Sequence, residues 1–385
     1  MQSKTNIKLG MIFSETGSYA ALGQSMRAGA MLAIDEINAK AHARFSLEPI
    51  AIDPGGVTAA YAEAARELIS NYGITHIFGC YTSSSRKEVL PVIEKHDALL
   101  WYPSHYEGFE TSDNVVYTGA SPNQHILPLA RHLIANHGKK GWFVGSNYIW
   151  AWENNRILRE ALSSVGGEVV GERYFPIGDT DFGGLPAAIV ADQPDFVFVT
   201  LIGDSCYRFI QELRRHAAAA GIDQPSVMPV ASCSLSEAEL PLLGDDAAGH
   251  LSSSVYFSSI DTPQNQHFTG LWNQYFSHLG RASADAEASF VAIHLLANAL
   301  EKAPDTRLES VRDAVRGIEF LAPQGPVAVN QENLHCAMRP RIGRSTQDCD
   351  FQIIHEARDL VQPDPYLVWV DPMSEPENDH LRVVK

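Results

Sequence analysis

The residues of this chain best suited to chemistry stand in one stretch, Ile74 to Glu110, ITHIFGCYTSSSRKEVLPVIEKHDALLWYPSHYEGFE. Two short apolar runs, 74–78 and 98–102, read as buried strands. Each ends in a loop of hydroxyls and aromatics, Cys80 to Ser85 and Pro103 to Glu107. In an open parallel sheet, ligands sit just beyond the carboxyl ends of the strands. A helix starting there also presents free backbone N–H groups that can hold a carbonyl oxygen. Tyr81 and Ser83 follow the first strand, and Tyr102 and Ser104 follow the second. Their hydroxyls can donate to and accept from the polar groups of a small ligand. The simpler role of a serine at a helix start is capping, and Ser85 is given that role. A tyrosine combines an apolar body with one polar tip, which suits a small ligand that is partly apolar and partly polar.

Three later strand ends repeat the pattern. The loop 146–152 offers Tyr148 and Trp150 as pocket walls, with Trp152 in the core or at the rim. Asp204 and Ser205 follow the run 195–202, and Ser232 and Cys233 follow 227–231. The Asp204 carboxylate either accepts an amide N–H or pairs with an arginine. Glu107 and Glu237 read as exposed or capping groups, and Arg86 with Lys87 as a surface pair.

Catalysis has a weak case. Cys80 would be the nucleophile for attack on an amide, but His76 lies on the same strand and no linked acid is evident. Buried cysteines are usually inert small hydrophobes. No catalytic residue is assigned, and the chain is read as a binder rather than an enzyme. The five cysteines (80, 206, 233, 336 and 349) form no CxxC pair, and the fifteen histidines form no HExxH. Neither a disulfide framework, a metal site nor a cofactor is expected.

The elements that must hold these residues alternate between strand and helix. Strands are expected at 7–13, 45–52, 74–78, 98–102 and 115–117. Helices fall between them, including one at 26–38 with apolar residues at helical spacing (Met26, Ala30, Ala33, Ile34, Ile37). The alternation restarts after 118–124, with strands at 141–145, 168–174, 195–202, 227–231 and 255–257. Helices are expected at 264–279, 284–302 and 306–316, and short strands at 327–329 and 351–354. This pattern gives an α/β fold of two mainly parallel, Rossmann-like sheets with helices on both faces. Crossings at 118–124, 258–263 and 320–327 make it a bilobed clamshell. The lobes comprise 1–120 plus 262–325, and 121–261 plus 326–385, with the ligand cleft between them.

At 385 residues the chain is long enough for two such lobes. Its net charge of -17 repels phosphate backbones and anionic bilayers, which argues against direct nucleic-acid or membrane binding. No run of eighteen apolar residues occurs to span a membrane. Met1-Gln-Ser-Lys4 leads straight into the first strand with no export-signal pattern, so a cytoplasmic location is expected. A periplasmic chain whose signal had been removed would begin in the same way.

The order of motifs resembles the type I periplasmic-binding-protein fold, in its amide-sensor and urea-binder branch. The residues that carry the resemblance begin with Phe13-Ser-Glu-Thr-Gly17, Asp53-Pro-Gly55, Gly79-Cys-Tyr81 with Arg86-Lys87, and Tyr102-Pro103 with Tyr106-Glu-Gly-Phe109. They continue with Pro122-Asn-Gln124, Gly145-Ser146 with Tyr148, Phe257-Ser-Ser-Ile-Asp-Thr-Pro263, Ala322-Pro-Gln-Gly-Pro326 and Pro363-Asp-Pro-Tyr366. The resemblance implies a receptor that closes on a short amide or urea. For the AmiC-like sensors, negative regulators of amidase operons, it further implies an antiterminator protein held and then released. For the urea binders it implies an ABC importer as partner. Ser104-His105 stands where a Thr-Pro is expected in the sensors, and 178–182 and 203–205 look more like urea binders. The expectation is a cytosolic sensor of an acetamide-like ligand, with the importer component as alternative. A homo-oligomer is compatible with either.

Overall fold

Alternation of apolar runs with amphipathic helices produces the layers seen in the computed structural model, which describes residues 4–41, 44–368 and a strand at 382–383. The amino-terminal residues 1–3 and part of the expected second lobe, 369–381, lie outside the described residues. The first lobe runs β1 (Thr5–Ile12), α1 (Ala20–Ala39), β2 (Phe45–Ala51), α2 (Thr58–Tyr72), β3 (His76–Gly79), α3 (Ser83–Lys95), β4 (Leu99–Tyr102) and β5 (Val115–Tyr117). Its sheet is parallel throughout in the order β2-β1-β3-β4-β5. The order reverses between β1 and β3, which places a ligand crevice at their carboxyl ends.

The second lobe repeats the arrangement with α4 (Pro122–Asn136), β6 (Lys140–Ser146), α5 (Ile149–Ser164), β7 (Glu168–Phe175), α6 (Leu185–Asp192), β8 (Phe196–Thr200), α7 (Asp204–Ala219), the short α8 (Gln224–Val227), β9 (Val230–Ser232), the short α9 (Leu240–Leu243) and β10 (Leu251–Ser254). The chain then returns to the first lobe with α10 (Pro263–Tyr275), α11 (Ala284–Lys302) and α12 (Leu308–Val315). A small antiparallel sheet, β11 (Glu319–Ala322), β12 (Gly325–Val329) and β13 (Cys336–Ala337), leads into β14 (Arg341–Ser345), β15 (Phe351–Glu356) and β16 (Arg382–Val383). These last three strands extend the second sheet to β16-β15-β14-β10-β9-β8-β6-β7, antiparallel from β14 onward. The two sheets and their flanking helices are the bilobed α/β fold.

Three differences from the sequence reading have physical causes. The strand expected at 255–257 is β10, four residues earlier, in a Leu-Ser-Ser-Ser run of low strand propensity. Its serines are tolerated because Ser252 Oγ donates to the Leu235 carbonyl and Ser253 Oγ to the His125 carbonyl. The run 320–327 is the β11–β12 hairpin, and the chain re-enters the larger sheet after β13. Strand β14 escaped notice because Arg341 and Arg344 hide its alternation. Arg341 is nevertheless buried, paired with Glu356.

Among the described residues no helix is long and apolar enough to cross a membrane. The first lobe's core depends on close approach of α1 to α11. A Cβ on Gly29 would sit 2.0 Å from the Ala286 carbonyl oxygen, which is backbone and cannot swing aside. Gly29→Ala sets two effects against each other: helix propensity favours alanine by about 1 kcal/mol, while overpacking costs about 1–3 kcal/mol or more. The steric term is expected to win, lowering the urea midpoint of unfolding. A raised midpoint would mean that the two helices slide apart at no cost.

Candidate functional site

The loops after β3 and β4 are fixed from beneath by a buried charge cluster. Helix α3 begins after Thr82, whose side chain accepts from the Ser85 amide, so the cap is Thr82 and Ser85 sits within the first turn. The next residue, Arg86, is fully buried. It donates to Glu110 (Nε to Oε1, 2.7 Å) and to Glu107 (Nη2 to Oε1, 3.1 Å) and lies over the rings of Tyr102 and Tyr106 at 4.8 and 4.7 Å. Ser83 Oγ donates to the other Glu107 oxygen, and Lys87 Nζ reaches Glu110 at 2.9 Å. Burial works against the Glu110 carboxylate, but Arg86 and then Lys87 hold it down to about 2. Arg86 is therefore an anchor of the site, not half of a surface pair, and Glu107 is a buried partner, not an exposed group.

Above this base the two lobes meet around His105. Tyr81, Ser83, Ser104, Tyr148 and Trp150 line one small cavity together with His105 and Ile202. Two neighbouring cavities share His105, Cys233 and Asp285. The indole of Trp150 meets the His105 ring edge-on at 5.3 Å and stacks on Tyr148 at 6.2 Å. The rings of Tyr19 and Tyr81 are 5.4 Å apart. The lobes touch directly: the Asp204 amide donates to the Ser18 carbonyl at 3.1 Å, and the Arg156 guanidinium lies 5.2 Å over the Phe109 ring.

The other expected residues lie nearby in different roles. Tyr102 is buried beneath the cleft, its hydroxyl donating to the Tyr81 carbonyl at 2.9 Å. Ser232 Oγ accepts from the amides of Ser234 and Leu235, organising the turn that carries Cys233. Asp204 is the first residue of α7, after the N-cap Gly203, and its side chain is in solvent without a capping bond, so its amide, not its carboxylate, faces the first lobe. Ser205 is buried and its hydroxyl has no hydrogen-bond partner.

Two carboxylic acids were not singled out by the sequence. Burial pushes Asp285, in the first turn of α11, up to about 7, opposed by a hydrogen bond from Ser104. Burial likewise pushes Glu239 up to about 8, although Ser236 and Tyr207 donate to it. The His105 imidazole is pushed down to about 3 by burial and then by His125. His105 Nδ1 and Asp285 Oδ1 are 3.9 Å apart, but both shifts favour the uncharged forms, so this is a polar contact and not an ion pair. The Trp150 indole N–H has no acceptor. No lysine or arginine lines these three cavities. The only signal for Asp285 in the sequence is an acidic first turn, which ordinarily means a solvated helix start.

A family profile described as "Periplasmic binding protein domain" matches residues 7–372. A Leu/Ile/Val-binding protein homolog of Brucella abortus is 24% identical over 336 residues, 86% of this chain and 85% of that protein. A solute-binding protein of an ABC transporter from R. palustris, solved in complex with 4-hydroxybenzoate, superposes with a TM-score of 0.83 at 22% identity, covering 94% of this chain and 99% of that one. The leucine-binding protein LivK of Thermotoga maritima does so with a TM-score of 0.79 at 17% identity, covering 93% and 99%.

Two predictions follow from these charges. Replacing Arg86 by methionine strands Glu107 and Glu110 and is expected to cost about 3–5 kcal/mol in urea unfolding, since removing one partner leaves buried charge uncompensated. A loss below about 1 kcal/mol would show that the carboxylates relax to water. The second concerns pH. Burial lowers His76, His125, His250 and His335 to about 4 and His105 and His132 to about 3, so their contribution is lost as pH falls below about 6.5. Burial raises Asp285 to about 7 and Glu237, Glu239 and Glu287 to about 8, so stability is lost as pH climbs from about 4.5 to about 8. The histidines outnumber the acids below pH 6.5, and above it only the acids act. The urea midpoint is expected to peak near pH 6.5 and to fall at pH 5 and at pH 8.5. A continued rise to pH 8.5 would show that these carboxyls ionise freely in the folded chain.

Proposed function

Since the chain belongs to the periplasmic binding protein family, we propose that it is a receptor of the solute-binding kind, not an enzyme, whose lobes close on a small uncharged amide or urea. The observation that carries the ligand class is the unanswered Trp150 donor beside His105, with the Asp285 carboxyl on the other side of that ring. The Trp150 N–H lacks an acceptor, and the Asp285 carboxyl has Ser104 as its hydrogen-bonding neighbour. A buried unpaired polar group costs about 1–3 kcal/mol. An amide carbonyl answers the first and an NH2 group the second. A carboxylate ligand would find no lysine or arginine in the lining, because Arg86 is committed to Glu107 and Glu110.

Size supports the same reading. The cavities around His105 are each too small for more than a water or two, so the lobes must part to admit any ligand. A ligand of four heavy atoms demands the least parting. The R. palustris protein named above is a solute-binding protein of an ABC transporter, which supports delivery to an ABC importer as the use of this receptor. A sensor that releases an antiterminator would use the same ligand-driven closure with a different partner, but nothing in the relatives named above supports it.

Calorimetric titration with acetamide, urea, leucine and 4-hydroxybenzoate tests the proposal. At a ceiling of about -1.5 kcal/mol per heavy atom, acetamide or urea is expected to bind with a dissociation constant no tighter than about tens of micromolar. Trp150→Phe keeps the ring and removes the donor, and should weaken that binding about five- to tenfold. Tighter binding of leucine or 4-hydroxybenzoate, with acetamide and urea silent, would sink the amide reading while leaving the receptor intact.

A further inference from the structure

We propose that a second ligand site lies at the hinge, behind the cleft, and takes a medium-chain aliphatic monocarboxylate. A cavity of about 630 Å³ opens there between the connection from β10 to α10, the β11–β12 turn, and strands β14 and β15. That is the size of an ordinary small-molecule pocket. It shares no lining residue with the three cavities around His105.

Its polar groups define one anionic position. Arg341 is 3% exposed, and its donors are all engaged: with the Val255, Arg339 and Gln324 carbonyls and with Glu356 Oε1. Glu356 is thereby neutralised. Arg339 is different. Its Nη1 stands 3.6 Å from the same Glu356 oxygen, and its Nε has no partner. The Arg339 side chain is about a third exposed, so the guanidinium can turn toward the cavity and grip a carboxylate through two parallel N–H donors, releasing the Nε from its buried, unpartnered position. Gln324 is 1% exposed; its amide NH2 donates to Glu287, and its Oε1 has no donor.

The walls decide the rest of the ligand. Ile260, Leu321, Pro326 and Ile353 are apolar, and no aromatic side chain lines the cavity. Leu321, opposite Pro326 across the β11–β12 hairpin, is 55% exposed, a large apolar surface. An aliphatic chain would cover it. Asp261, at the rim and bonded by Gln266, adds negative charge that opposes a doubly charged anion such as phosphate. Because α10 and the β11–β12 turn belong to one lobe while β14 and β15 belong to the other, relative motion of the lobes reshapes the cavity. Occupancy here and occupancy of the cleft must then alter each other's affinity by the same factor.

The test is calorimetric titration of the full chain with sodium hexanoate, which reads this site without reference to any ligand of the cleft. Saturable binding is expected, with no heat from inorganic phosphate at the same concentration. Arg339→Gln should weaken hexanoate about tenfold, and Pro326→Trp, which fills the cavity, should abolish it. Tyr148→Ala, in the cleft, should leave it unchanged, and circular dichroism checks that each variant is folded. The proposal is overturned by absence of saturable binding to the unaltered chain, by equal affinity in Arg339→Gln, or by loss of binding in Tyr148→Ala, which would put hexanoate in the cleft.

Discussion

The guanidinium of Arg86 is the group on which the first half of the cleft depends. It ties the start of α3 to Glu107 and Glu110, which lie beyond the end of β4, and supports the rings of Tyr102 and Tyr106. Tyr106 in turn bonds His335, whose ring stacks on Tyr117 at 3.9 Å, just ahead of β13. One buried cation thus connects the ligand loops to the segment through which the chain re-enters the second lobe. Its cost is desolvation, and only the two carboxylates with the ring faces make that cost tolerable. With Arg86 so committed, no lysine or arginine lines the three cavities around His105.

Closure has its own constraint. Gly203 holds φ +60, and a Cβ there would stand 2.1 Å from the Ser18 carbonyl oxygen of the opposite lobe. The contact that locks the lobes, from the Asp204 amide to that same carbonyl, is available only because residue 203 lacks a side chain. Asp285, Glu239 and His105 are all buried here, and burial favours the neutral form of each. The closed cleft is polar without being charged, the environment in which hydrogen-bond matching discriminates most strongly.

The layered architecture was legible because apolar strand runs recur between polar loops as far as β9, and the strand-end loops pointed to five of the seven residues lining the cavity that holds Tyr81 and Trp150. What was not legible involves groups whose burial contradicts their type. Arg86 and Glu107 look like surface residues in a polar helix start and loop. Asp285 looks like a solvated first turn, and β14 looks like a basic loop. Tertiary surroundings decide these environments: Glu110 and Glu107 for Arg86, burial for Asp285, and Glu356 on the neighbouring strand for Arg341. Asp204 went the other way, for a residue at a helix start presents its backbone amide as readily as its side chain.

A ligand of four heavy atoms leaves little free energy with which to move two lobes. If it contributes no more than about 6 kcal/mol in all, the open and closed forms must already be nearly balanced, because a ligand shifts an equilibrium only by its differential affinity. On the proposed reading, contacts between the lobes stand on both sides of that balance. Ser18 with Asp204, Arg156 with Phe109, and Trp150 with His105 favour closure. The desolvated acids and the unpaired Trp150 donor oppose it. A ligand that satisfies the unpaired groups removes the opposing terms rather than adding a large attraction. A receptor so poised responds to changes of about 1 kcal/mol anywhere along the hinge, which makes the connections at 255–262 and 338–340 as consequential for affinity as the residues that touch the ligand.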